Sequence, residues 1–431
     1  MATLTALING RLLDPNTSES NILNIVLNED GVIVGLGYVP EEDGDTIRVV
    51  DLKGHTIVPN VMDAHVHLRE PGNEGIETMA SASYAALTSG ITLLVATPDT
   101  HPPVDTPEMV LFIHTRRKQT AHVPIYTMGM VTKGGCGQPL AEMALMAQEG
   151  AIGFTDGPSL HDTGMMRLAL EYCPDRPMVI TPYDPWLGGD GVIAEGALAT
   201  KMGLRGIPQE AESIRVSRDI ALVARFGGQA HFFPITTRDS VALIREAKAK
   251  GIPVTCGTAP HYLCFQDRDI EGYHCQLKVT PPLRKADDTQ ALIEGIEDGT
   301  IDVIASDHQP NTVDQKRTDF TSASPGISGI ETLIPATLHA LRPRIPMHRI
   351  MACLSSKPLR LFGLKKPGVS VGARPSLSVF DLTKTVTIQA NTFHSMDRSS
   401  PFDGLTLTGK AILTMIDGQI KWTDSSLPLS D

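Results

Sequence analysis

Two histidines one residue apart, His65 and His67 in Asp63-Ala64-His65-Val66-His67-Leu68-Arg69, are the residues of this chain best placed to do chemistry. On a β-strand, residues i and i+2 face the same side, so both imidazoles reach one metal ion. The alternative is a pair of hydrogen-bonded histidines on a polar face. Two aspartates end other apolar runs: Asp307 in Ile304-Ala305-Ser306-Asp307-His308, and Asp156 in Gly153-Phe154-Thr155-Asp156-Gly157. Asp307 suits ligation of the same ion and the general-base role toward water that the ion acidifies; otherwise it is a capping or turn residue. Asp156 offers a further carboxylate or only a turn. Together His65, His67, Asp156 and Asp307 make a nitrogen and oxygen donor set suited to zinc, with one ion at most, or none, expected here.

Residues at strand ends need strands to carry them. Apolar runs suited to buried parallel strands lie near 57–65, 91–98, 123–131, 151–155, 177–183, 230–236, 252–259 and 301–306. Helical periodicity fills much of the space between, as from Glu77 to Ser89, Pro139 to Gln148, Ser213 to Arg225, Ser240 to Lys250 and Asp287 to Glu297. This alternation predicts an α/β fold, a (β/α)8 TIM barrel over 58–366, whose active site sits at the carboxyl ends of the strands. A doubly wound open sheet is the competitor, and it lacks a Gly-X-Gly-X-X-Gly turn after an early strand. Residues 1–57 and 367–431 alternate apolar and polar positions, which predicts a small composite β-sandwich domain built from both ends. The polar stretch from Gln309 to Gly326 follows the eighth strand as either a lid or a surface loop.

The chain has 431 residues, 41% of them hydrophobic, and a formal net charge of −12, which leaves ample material for a large core. That charge excludes a general nucleic-acid binder, which needs a basic face. Its six cysteines form no C-x-x-C pair and read as small buried residues of a reducing compartment. Neither a leader pattern nor a membrane span is legible, so the expected location is the cytoplasm.

Asp63-Ala64-His65-Val66-His67-Leu68-Arg69-Glu70-Pro71-Gly72 resembles the signature of dihydroorotases and their cyclic-amidohydrolase relatives. The likeness continues through Thr97-Pro98-Asp99-Thr100, Ala259-Pro260-His261-Tyr262-Leu263, Thr280-Pro281-Pro282-Leu283-Arg284 and the run from Ile301 to His308. The most similar group is the bacterial type that places an aspartate, not a carboxylated lysine, between two metals. In that family, histidines ending strands five and six hold the second metal. The matching stretches here, Ile180-Thr181-Pro182-Tyr183-Asp184 and Phe232-Phe233-Pro234-Ile235-Thr236, put Pro182 and Pro234 at those positions. Proline offers no donor side chain. His231 lies on the opposite side of strand six by alternation, and nothing in the sequence brings His161 or His261 into the site.

The pocket departs as well. The resemblance makes Arg69 and the residue at Asp99 the grip on a substrate carboxylate, but the family has asparagine where Asp99 stands. An anionic Asp99 repels that carboxylate and pairs with Arg69. A second family asparagine corresponds to Thr280, and a histidine to Asn311. The resemblance therefore implies a pyrimidine-biosynthesis homologue with impaired catalysis, a homo-oligomer that acts as structural partner of aspartate transcarbamoylase. The alternative is a one-metal cyclic amidohydrolase for another cyclic amide, and a third is a dihydroorotase with rewired ligands.

Overall fold

A computed structural model describes residues 3–17, 20–39, 46–173 and 175–427. Parallel strands Met62–Val66, Leu93–Ala96 and Ile125–Thr127 pair in chain order. The fourth position is a single bridging residue, Phe154, which joins Gly129 on one side to Met178 on the other. Strands Pro177–Ile180, Gln229–Phe232, Val254–Thr258 and Val303–Ile304 continue the ring. A bridge from His308 back to Val66 closes it. The strands are short and almost wholly buried, as expected where a sheet is covered on both faces.

The surrounding helices bury one stripe each. Arg238–Ala249 turns Val241, Ile244 and Ala247 inward, and its Thr237 cap accepts a hydrogen bond from the Ser240 amide. Glu210–Phe226 carries buried Glu212, whose carboxylate accepts from the Thr236 and Thr237 amides at 2.9 and 3.0 Å. That contact fixes the exit of strand six.

The apolar run at 57–65 is two strands, not one. Thr56–Pro59 belongs to the terminal sheet, pairing with Arg11 and Leu12 and with Leu377–Phe380. At Asn60 the backbone turns left-handed, φ +52°, and its side chain donates to the Pro367 carbonyl at 3.0 Å. The chain thus leaves one sheet and enters the barrel at Met62. Both ends of the sequence build the terminal domain: Thr3–Leu13, Ser20–Leu27, Ile33–Leu36 and Thr46–Asp51 join Leu377–Thr387, Thr406–Ile416 and Gln419–Thr423 in one hydrogen-bonded sheet. It curls around a core that includes Leu7, Ile25, Ile57, Val379 and Leu413.

Two segments cross the carboxyl end of the barrel. Residues 309–326 contain a short helix, Val313–Lys316, capped by Thr312, and are pinned by Lys278, whose ammonium donates to the Phe320 and Thr321 carbonyls at 2.8 Å. The 389–403 excursion leaves the terminal sheet and reaches the barrel, where Ser395 bonds Glu77 and Asp397 accepts from the Asn311 amide at 2.9 Å. Sequence pattern alone had placed that excursion wholly within the β-domain. None of the described helices is long and apolar enough to cross a membrane.

Candidate metal centre

His65 and His67 leave the end of strand one side by side, their ring centroids 5.3 Å apart. Asp307 follows strand eight, with Oδ1 3.2 Å from Nδ1 of His65. The neighbouring strand ends are locked together: Asp63 accepts from the Ser306 amide at 2.9 Å, and the His67 amide donates to the His308 carbonyl at 2.9 Å. Arg69 and Asp307 both hold left-handed backbone, φ +61° and +52°, which costs a non-glycine residue energy and is typical of functional strand ends. Among the described residues, His65, His67 and Asp307 form the one group of three or more His, Cys, Asp or Glu whose donor atoms all lie within 4.8 Å of each other.

These residues fit a cation. Nδ1 of His65 is buried without a hydrogen-bond partner, because the 3.2 Å approach of Asp307 lies off the donor direction. Both ring nitrogens of His261 are buried and unpartnered too, with Nε2 4.0 Å from Oδ2 of Asp307. An unsatisfied buried nitrogen is costly, and a divalent ion would satisfy one on His65. Burial opposes the charge on Asp307, but His65, His261 and His67 outweigh it and keep its carboxyl below the usual range. His261 is held neutral, pushed down to about 4 by burial against the pull of Asp307.

His67 Nδ1 lies 2.7 Å from Asp99, and Arg69 is 3.1 Å from the same oxygen. Burial raises the Asp99 carboxyl, yet His67 and Arg69 hold it well below the ordinary value. His67 itself is lowered, first by burial and further by His65 and Arg69, against Asp99. The two directions agree on one arrangement: a neutral imidazole donating Nδ1–H to an ionised carboxylate, with Nε2 left free for a metal. Carboxylate partners of this kind orient metal-binding histidines.

The opposite wall differs. Thr181, Tyr183 and Pro234 line the cavity of about 410 Å³ beside the histidines. Pro182 is buried outside that lining, so the segment leaving strand five presents Thr181 and Tyr183 to the cavity, not the Pro182 that the resemblance puts at a ligand position. The Phe233 ring sits 4.6 Å from that of His65. His231 lies behind, its Nδ1 2.8 Å from the Thr255 hydroxyl, and burial drives it down to about 3 with His65 and Lys248 adding. His161 is engaged elsewhere, by Arg215 at 2.9 Å.

Other expected site residues take different places. Asp156, expected in the ligand set, borders the same cavity but is not among the His65, His67 and Asp307 group. Its oxygens accept from the loop after strand three, through the Val131 and Thr132 amides at 2.8 and 3.0 Å and the Thr132 hydroxyl. Thr280 and Asp99 line the cavity, whereas Arg69 stands behind Asp99. Asn311 is not a cavity residue: it is buried in its own loop, donating to the Gln309 and Pro325 carbonyls at 3.1 Å. Gln309, Pro325 and Tyr183 line the cavity and were not among the expected site residues. The period-two alternation of strand five could have revealed Tyr183.

The family model described as Dihydro-orotase-like matches residues 54–240, and that of the Amidohydrolase family matches 187–421. A dihydroorotase of Geobacter sp. (strain M21) is 36% identical over 415 residues, covering 95% of this chain and 97% of that protein. The chain belongs to the dihydroorotase-like amidohydrolases. A dihydroorotase of Acetivibrio thermocellus is 34% identical, again over 95% of the chain and 97% of the relative. Among solved structures, the L-hydantoinase (dihydropyrimidinase) from Arthrobacter aurescens superposes with a TM-score of 0.85 at 26% identity, covering 97% of this chain and 96% of that one. A Thermus sp. D-hydantoinase, TM-score 0.84 at 19% identity over 99% and 97% of the two chains, shares the fold of this dihydroorotase-like protein.

Proposed function

We propose that this dihydroorotase-like protein is impaired in cyclic-amide hydrolysis and serves pyrimidine biosynthesis as a structural partner of aspartate transcarbamoylase. The observation that carries the first half is the wall built by strands five and six. It presents Thr181, Tyr183, Phe233 and Pro234, and among the described residues of these two strand ends no imidazole or carboxylate lines the cavity facing His65 and Asp307. A zinc ion at His65, His67 and Asp307 would polarise a carbonyl and acidify water. The protein's own residues supply the remainder: Asp307, kept ionised, accepts a proton, and Asp99 orients His67. Without ligands for a second cation, the reaction loses on the order of several kcal/mol of transition-state stabilisation, a factor of thousands or more in rate.

Asp99 also puts a carboxylate on the cavity wall and occupies Arg69, so an anionic ring meets repulsion where the resemblance leads one to expect a grip. The partner role rests on that resemblance. Its test is to mix this chain with purified aspartate transcarbamoylase, size the product, and assay carbamoyl transfer. Separate elution together with unchanged transfer would reject it. A direct dihydroorotate assay with added zinc tests the impairment, which turnover at an ordinary enzymatic rate would overturn.

A second reading is favoured by the unpartnered nitrogens of His65 and His261: a one-metal amidohydrolase acting on a neutral or cationic cyclic amide. Metal analysis of the purified protein tests it, since this reading needs one bound ion per chain and is removed if none is found.

A further inference from the structure

Away from the histidines, the loop after strand eight and the 389–403 excursion enclose a second cavity of about 360 Å³. Lys316, Arg317 and Arg398 line it, with His274 beside them and Asp403 as its one carboxylate. Lys316 is only 4% exposed, yet its ammonium meets no carboxylate; it donates to the Cys275 and Lys278 carbonyls at 3.3 and 3.4 Å. Among the described residues, no carboxylate oxygen lies within 4.0 Å of Lys316, Arg317 or Arg398. Asp397 lies near Lys316 but is occupied by the Asn311 and Ser399 amides, at 2.9 and 2.8 Å. Asp403 accepts from the Ala390 amide at 2.8 Å. The Ser399 hydroxyl oxygen is buried with no partner.

Three cations drawn around one cavity repel each other, and a buried ammonium without a counter-ion is costly. In a chain of net charge −12 such a concentration does not arise from an excess of basic residues. Arginine guanidinium groups bind phosphate oxygens in bidentate fashion and a lysine ammonium adds a point charge, so two arginines and a lysine lining one cavity suit a phosphate. We infer that this cavity is a binding site for a phosphate-bearing small molecule, with Lys316, Arg317 and Arg398 as its cationic wall and Ser399 as a hydroxyl donor.

Its place gives binding a consequence. Lys316 ends the short helix of the 309–326 loop, and Arg398 and Ser399 lie on the excursion that Asp397 ties to that loop. An anion between them holds both segments together. Gln309 and Pro325, at the two ends of the same loop, line the cavity beside the histidines. Occupancy therefore stiffens the roof of the candidate metal centre, whatever reaction that centre performs.

Inorganic pyrophosphate and inorganic phosphate, titrated into the full chain at constant ionic strength, are the probes. Calorimetry is expected to show one saturable site per chain, with a rise in melting temperature and slower amide exchange over residues 312–318. Arg317→Ala combined with Arg398→Ala changes two exposed side chains and should leave the fold intact; it is expected to weaken pyrophosphate about tenfold or more, the loss of charge-assisted hydrogen bonds. Ser399→Ala should weaken it less. Absence of saturable binding by either probe overturns the inference. So does a double variant that binds as tightly as the parent chain, because the anion then sits elsewhere.

Discussion

The two walls of the main cavity are built from the same kind of element and have opposite chemistry. The wall from strands one and eight carries His65, His67 and Asp307, with unpaired buried nitrogen and a carboxylate, Asp99, aligned behind one imidazole. The facing wall, from strands five and six, carries Thr181, Tyr183 and Pro234, and its one imidazole, His231, is already bonded to Thr255. Both walls have the buried strand backbones and fixed exits a barrel needs, so the difference lies in side chains and not in the scaffold. A barrel of this type holds its shape when one wall loses its donors, because the layers below the site supply the packing.

The largest effect expected from this contrast is the loss of metal on changing one residue of the first wall. His67→Ala or Asp307→Asn should lower zinc affinity by about a hundredfold to a thousandfold, since each zinc ligand contributes a few kcal/mol. Metal retained after dialysis, measured by mass spectrometry, should fall from at most one ion per chain to a trace. The same measurement on Thr181→Ala should show no change. If both walls respond alike, the contrast is wrong.

Next in size is an acid effect that belongs to the second wall. His231 is pushed down to about 3 from its ordinary 6.5, so the folded protein refuses a proton that the unfolded chain takes up below 6.5. Its contribution to stability is therefore complete above 6.5 and is lost as pH falls toward 3, a cost on the order of a few kcal/mol across that window. Denaturant midpoints measured between pH 7 and 4 should fall less steeply in His231→Phe than in the parent chain, with metal content unchanged. Equal slopes would mean that His231 is not the buried neutral group described above.

The asymmetry was partly legible in the residues themselves. An H-X-H pair on a strand points both rings one way whatever the surroundings, and the resemblance makes a proline such as Pro234 in the facing wall visible without coordinates. The α/β alternation was legible for the same reason, since buried parallel strands read as short apolar runs. Three things were not. The run at 57–65 hid a change of sheet, because Thr56–Pro59 and Met62–Val66 are both buried and follow each other closely, with the left-handed Asn60 between them. The hydrogen bonds of Asp156 were not legible either, since the amides that bond it come from a loop 24 and 25 residues earlier in the chain. The excursion at 389–403 docks through single polar contacts that leave no periodic trace.

Asp99→Asn sharpens the contrast on a smaller scale. The change keeps the shape of the side chain but removes the charge that both His67 and Arg69 contact. Zinc affinity, measured by competition with a chromophoric chelator, should fall about 10- to 100-fold, the usual penalty for weakening a carboxylate behind a metal-binding histidine. An affinity equal to that of the parent chain would reduce Asp99 to a partner of Arg69 alone.

The smallest effect tests the roof shared by the two walls. Asn311 holds the ends of the 309–326 loop together, donating to the Gln309 and Pro325 carbonyls at 3.1 Å. Asn311→Ala leaves two largely buried acceptors without that donor, at about 1–2 kcal/mol. The backbone amide of residue 311 still bonds Asp397, so the loop should open locally while the barrel stays folded. Hydrogen exchange over 309–326 is then expected to accelerate by about tenfold, the factor that 1.4 kcal/mol implies, with the barrel strands unaffected. The loop touches the cavity through Gln309 and Pro325 but supplies no donor to the His65, His67 and Asp307 group, so zinc affinity should stay within about a factor of two. If zinc weakens in step with the faster exchange, the first wall depends on its roof, and the line between the walls must be redrawn to include the loop.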